Sequence, residues 1–261
     1  MRKRLIAGNW KMHLTPPEAA AYAEQLLRHI PDLDHQDVAV CPAFPALGAV
    51  SSVLSGTHIG LGAQNLFWKE QGAYTGQVSP SMIVSCGCRY VILGHSETRG
   101  RFGKTDSEDD LAYFAESDAT INRKIKAALP HGLTPILCVG ETLSERESVK
   151  TDEVIANQLE GALAGIDGEE LYGLVVAYEP VWAIGTGQAC EPDEAERICG
   201  QIRAKLADML GTECAESCRT LYGGSVNGAN AGSYLKLPSV DGALVGGASL
   251  KSEEFARIAI S

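Results

Sequence analysis

Eight short apolar runs, each of strand length and most followed by a segment with helical spacing, set the architecture this chain can adopt. They are Leu5–Gly8, Val38–Cys41, Ile59–Ala63, Tyr90–Gly94, Pro135–Val139, Leu174–Tyr178, Thr220–Tyr222 and Ala243–Val245. Continuous apolar runs of this length fit parallel strands covered on both faces. Thr15-Pro16-Pro17-Glu18 reads as a capping box with proline at the first helical position, leading into a helix from Glu18 to His29. Further helices are expected from Ser79-Pro80 to about Cys86, Asn122 to Leu129, Glu145 to Leu163, Pro192 to Leu210, Asn227 to Leu235 and Ser252 to Ile260. Eight strand–helix units fit a closed (β/α)8 barrel of the α/β class better than an open doubly wound sheet. No linker interrupts the series, so residues 1–261 are expected to form a single domain.

Composition narrows the partners. With 45% hydrophobic and 21% charged residues the chain is neither disordered nor fibrous. A formal charge of −11 repels polyanions, so neither nucleic acid nor an anionic membrane is an expected partner. An anionic ligand would need a local cluster of lysine, backbone N–H groups and helix N-termini. After Met1-Arg2-Lys3-Arg4 the apolar run Leu5-Ile6-Ala7 is too short for a signal-peptide core or a membrane span, and a cytoplasmic location is expected. The eight cysteines are too sparse for a disulfide scaffold, and Cys41 and Cys138 sit inside apolar runs as small hydrophobes. Neither Cys86-Gly87-Cys88 nor Cys214 with Cys218 has a second pair at zinc-finger spacing, so no metal site is expected.

In such a barrel the chemistry belongs at the C-terminal ends of the strands. Those ends read Asn9-Trp10-Lys11, Gln64-Asn65, His95-Ser96-Glu97, Gly140-Glu141, Glu179-Pro180, Gly223-Gly224-Ser225 and Gly246-Gly247. Glu179 closes an apolar strand ahead of proline, which aims its carboxylate into the barrel mouth. His95 precedes a plausible helix start, whose positive end should disfavour imidazolium and keep the ring neutral. Lys11 supplies a compact positive charge, and Asn9 lies two positions earlier on the same strand face.

Asn9-Trp10-Lys11, Gly94-His95-Ser96-Glu97, Tyr178-Glu179-Pro180-Val181-Trp182-Ala183-Ile184-Gly185-Thr186-Gly187 and Tyr222-Gly223-Gly224-Ser225-Val226 resemble the triosephosphate isomerase family, in order from first strand to last. The resemblance implies a TIM barrel that interconverts dihydroxyacetone phosphate and D-glyceraldehyde 3-phosphate, in glycolysis and gluconeogenesis, with no metal and no organic cofactor. It implies that Glu179 is the base, His95 the neutral electrophile, and Lys11 and Asn9 further catalytic groups. Glu97 would support Lys11, and Gly185, Ser225, Gly246 and Gly247 would bind the substrate phosphate. Pro180, Val181, Trp182, Ala183, Ile184, Gly185, Thr186 and Gly187 would form a lid that excludes water. The loop carrying Tyr74, Thr75 and Gly76 would plug into a second subunit beside Asn9 and Lys11, making a homodimer.

The chain departs from the family pattern at several positions. Gln188 stands where the lid ordinarily ends in lysine. Gln77, Thr98 and Lys104 replace charges expected near the subunit contact, which points to an interface that relies on apolar packing and is less sensitive to salt. An extra acidic stretch runs from Asp106 to Thr120 and reads as a solvated extension ahead of a helix starting near Ile121. The competing reading is a barrel that binds a phosphorylated metabolite without turnover. Glu179 at the mouth discriminates against it.

Overall fold

The computed structural model describes residues 2–102 and 114–261. Eight parallel strands close into a barrel in sequence order: β1 (Arg4–Asn9), β2 (Gln36–Cys41), β3 (Ile59–Ala63), β4 (Tyr90–Leu93), β5 (Thr134–Val139), β6 (Val175–Tyr178), β7 (Arg219–Tyr222) and β8 (Gly242–Val245). Closure is made by β1 against β8, with Leu5 opposite Gly242 and Gly8 opposite Val245. The expected runs coincide with these strands to within two residues at either end.

Two apolar clusters divide the strand residues by parity. Leu5, Ala7, Ala39, Cys41, Ile92, Ile136, Cys138, Val175, Ala177, Leu221 and Leu244 fill the barrel interior. Their neighbours Ile6, Val38, Val40, Val91, Leu137 and Val176 face outward into the larger cluster shared with the helices. Alternation at period two carries this inward face upward past the strand ends. Asn9 therefore follows Leu5 and Ala7 into the mouth, and Glu179 follows Val175 and Ala177.

Helices cover the outer face: α1 (Pro16–His29), α2 (Leu47–Leu54), α3 (Pro80–Ser85), α4 (Asp118–Ala128), α5 (Leu143–Glu147), α6 (Thr151–Leu163), α7 (Pro192–Leu210), α8 (Thr212–Ser217), α9 (Ala231–Leu235) and α10 (Ser252–Ala259). The capping box at Thr15 and Glu18 is present. Three expectations are corrected. The helix expected from Glu145 to Leu163 is two helices, because the chain turns through Ser148-Val149-Lys150 with Val149 at φ +58°. The helix expected from Asn122 begins at Asp118, where the Ser117 side chain accepts the Thr120 N–H at 3.2 Å and opens the first turn. The helix expected from Asn227 begins only at Ala231, after Asn227 and Asn230 side chains have bonded their own loop backbone. Residues 106–113 of the acidic stretch, and Lys104, lie outside the described residues.

Candidate active site

One cavity of about 390 Å³ opens at the barrel mouth, lined by Asn9, Lys11, His95, Glu179, Gly185, Ser225, Gly246 and Gly247 among others. Groups from the ends of five strands, β1, β4, β6, β7 and β8, thus meet in one space. Tyr74, Thr75 and Gly76 do not join it; they stand exposed on the loop after β3, where the Tyr74 ring packs on Phe67 at 4.9 Å between centroids.

Glu179 is only 2% exposed. Its Oε1 lies 2.9 Å from His95 Nε2, and its Oε2 accepts the Ser96 N–H at 2.8 Å. Burial, the largest influence, works to raise this carboxyl, yet His95, the Ser96 N–H and Lys11 together hold it below the usual carboxylate range. Gly140 makes the placement possible: a Cβ there would stand 1.7 Å from the Glu179 carbonyl oxygen. Beneath lies Cys138, whose thiol is pushed up by burial and by Glu179 and so forms a neutral floor.

His95 sits one residue past Gly94, which turns the chain at φ +70°. The expected helix after it is a single turn, closed by Arg99 N–H donating to His95 O at 3.1 Å and Arg101 N–H donating to Ser96 O at 2.9 Å. Its first amide still acts on the ring: Glu97 N–H donates to His95 Nδ1 at 3.1 Å. Nδ1 must keep a lone pair to accept, so the ring proton is on Nε2, aimed at Glu179. Burial pushes the imidazole down, but the Glu179 and Glu97 carboxylates outweigh it and the net direction is upward while the pair is made. That reverses the expected shift, because reading the sequence placed Glu179 and His95 in one mouth without placing them in contact.

Lys11 takes φ +52° and is locked on both sides: its N–H donates to Asn9 Oδ1 at 3.1 Å, and Gln64 Nε2 donates to its carbonyl at 2.8 Å. Its ammonium is 2.5 Å from Glu97 Oε1. Arg99 braces the turn, donating to Gly94 O at 2.7 Å and Cys138 O at 3.2 Å while pairing with Asp118 at 2.5 Å.

In the lid segment Val181–Ala183 form a buried 3-10 turn, while Gly185 and Gly187, at φ +70° and +80°, and Gln188 are exposed. Ser225 Oγ donates to Ala183 O at 2.9 Å and Thr186 Oγ1 to Trp182 O at 2.7 Å. The sequence reading assigned no role to Glu141, which anchors the lid base. Fully buried, it accepts Trp182 Nε1–H at 2.7 Å and Tyr178 O–H at 3.2 Å, and burial pushes its carboxyl up. A carboxylate directly after an apolar strand was the available signal. A second unforeseen group is Glu116, buried against Lys124 and accepting Thr98 Oγ1–H at 3.1 Å. Lys124 also reaches Asn65 Oδ1 at 2.7 Å. Glu116, within the extra acidic stretch, thus places a carboxylate beside Thr98 and Lys124.

Among the described residues no group of His, Cys, Asp and Glu is arranged to hold a metal ion, and no helix is long and apolar enough to cross a membrane. The family profile described as triosephosphate isomerase matches residues 4–261. Three relatives carry the same name. That of Carboxydothermus hydrogenoformans is 50% identical over 99% of this chain and 98% of its own length. Those of Herpetosiphon aurantiacus and Symbiobacterium thermophilum are 48% and 47% identical over 99% of the chain, covering 98% and 96% of the relatives.

Proposed function

This chain belongs to the triosephosphate isomerase family, and on that premise we propose that its barrel mouth interconverts dihydroxyacetone phosphate and D-glyceraldehyde 3-phosphate with Glu179 as the base. The observation that carries the assignment of roles is the meeting of Glu179, His95 and Lys11 in one cavity with Gly246 and Gly247. The phosphate is held by Gly185, Ser225, Gly246 and Gly247, whose exposed or half-exposed backbone lets an anion approach closely. Asn9 and Lys11 face the carbonyl and hydroxyl oxygens.

For catalysis Glu179 must release Ser96 N–H and His95. Both contacts hold it acidic, so leaving them while the lid excludes water makes the carboxylate more basic when it meets the substrate. It removes a proton from the carbon next to the carbonyl. The electron pair forms the carbon–carbon double bond, and the charge moves to the carbonyl oxygen. His95 Nε2–H and Lys11 stabilise that enediolate oxygen. With Glu179 withdrawn, the larger of the two carboxylate influences on His95 is lost, and burial with the Glu97 amide favours the neutral ring against the remaining Glu97 carboxylate. His95 Nε2–H gives its proton to the enediolate oxygen and takes one from the neighbouring hydroxyl, and the carbon proton returns from Glu179 to the neighbouring carbon, giving the other triose phosphate.

The same reading makes the whole chain one barrel domain and the active unit a homodimer. Met12 is 93% exposed and Tyr74 41% exposed, and an apolar recess of about 270 Å³ walled by Met12, Phe44, Pro45 and Asn65 lies directly beside Lys11 and His95. A partner's Tyr74–Gly76 tip would fill it and cover the Lys11 side of the site. A cytoplasmic location is supported by eight unpaired cysteines. A coupled assay with glyceraldehyde 3-phosphate tests the activity; a pure, folded protein without turnover would favour the binding-only barrel. A crystal structure with 2-phosphoglycolate tests the roles, and a carboxylate of Glu179 remote from the ligand carbons would remove it as the base.

A further inference from the structure

The exposed part of the lid is bounded by two buried residues. Ala183 and Cys190 are both fully buried, and none of residues 184–189 between them is. Each of these two points has its carbonyl held by a hydroxyl from the chain that follows β7. Ser225 Oγ donates to Ala183 O at 2.9 Å, and Tyr234 Oη, on α9, donates to Cys190 O at 2.7 Å. The two bonds differ in position: Ser225 lines the cavity, whereas Tyr234 is 3% exposed and does not. The Tyr234 ring is itself fixed, stacked on Tyr222 with centroids 4.2 Å apart and planes 15° from parallel. Asn230, immediately before α9, donates from Nδ2 to Ser225 O at 3.0 Å. One short helix thus ties the end of the lid to the loop that carries Ser225.

We propose that Tyr234 is a positioning residue for the isomerisation: by holding the Cys190 carbonyl it fixes the C-terminal hinge of the lid, so that closure over the substrate has to order only residues 184–189. The proposal rests on the lid reading given above. Without the bond, Cys190 gains backbone freedom before the ligand arrives, and closure must then order that residue as well. This cost falls on ligand binding and turnover, which separates it from a contribution to folding alone.

The test compares wild type with Tyr234→Phe, which keeps the stacked ring and removes only the hydroxyl. Three quantities are read at a temperature where both proteins are fully folded: kcat/KM with glyceraldehyde 3-phosphate, Kd for 2-phosphoglycolate by calorimetry, and hydrogen exchange of the 184–190 segment in saturating 2-phosphoglycolate. Tyr234→Phe should weaken Kd and kcat/KM by about three- to ten-fold, the net worth of one buried hydrogen bond, and speed exchange in the bound lid by a similar factor while exchange in the barrel strands stays unchanged. A lower Tm with Kd and lid exchange as in wild type would make the bond a matter of stability alone and overturn the proposal. So would a crystal structure of the wild-type 2-phosphoglycolate complex in which Tyr234 Oη no longer lies within hydrogen-bond distance of Cys190 O, an observation that depends on no variant. Wild type whose exchange at 184–190 does not respond to 2-phosphoglycolate would overturn the lid reading itself, and the role of Tyr234 with it.

Discussion

Glu179 Oε1 and His95 Nε2 lie 2.9 Å apart, so the carboxylate and the imidazole that face one substrate are, without it, each other's partner. Each masks the other: the ring holds the carboxyl acidic and the carboxylate holds the ring basic. Replacing Glu179 by Gln therefore lowers the His95 pKa relative to wild type, an outcome read directly by NMR titration of the ring. An upward or absent shift would mean that the pair does not exist in solution.

Shortening the same side chain tests its reach. Glu179→Asp retracts the carboxylate by about 1 Å and slows turnover by on the order of 10²-fold, because the proton must cross a fixed gap. Steady-state kinetics decide this, and an unchanged rate removes Glu179 from proton transfer.

Glu141 gives a pH dependence with a definite sign. Burial raises its carboxyl in the folded protein above its value in the unfolded chain. Its contribution to stability is therefore full in acid, below the ordinary carboxylate value, and is lost as pH rises through the folded value. Glu141→Gln cannot ionise, so it gains thermal stability over wild type at neutral pH, and the gain closes toward pH ~4. Parallel melting curves across pH check it; a gap that widens in acid would refute the assignment.

Val149 combines φ +58° with 91% exposure. A β-branched residue in the left-handed region is strained, and this one has little packing to offset it. Val149→Gly should stabilise the protein by about 0.5–1 kcal/mol, or roughly 2–4 °C per kcal/mol in Tm. Calorimetry distinguishes this from a neutral or destabilising change.

The proposed interface is apolar around Met12, Phe44 and Pro45. Dissociation measured by sedimentation should accordingly change little between 0.05 M and 0.5 M salt, while Thr75→Arg at the exposed loop tip weakens the dimer and activity together. Steep dissociation with salt would show that ion pairs hold the subunits.

Much of this protein was legible in its residues alone. Short apolar runs at regular spacing specify parallel strands, and period-two alternation already aims Asn9 and Glu179 inward, because both signals are local properties of the backbone. Breaks within helices were less legible: nothing in the apolar pattern from Glu145 to Leu163 announces the turn at Val149. Contacts between distant segments were not legible at all. The pairing of Glu179 with Ser96, 83 positions away, the anchoring of Trp182 by Glu141 and the supply of Glu116 to Lys124 arise only when the closed barrel brings separate strand ends within bonding distance. The direction of the His95 shift was decided there too, since a titrating group responds to its neighbours in space and the sequence orders only neighbours along the chain.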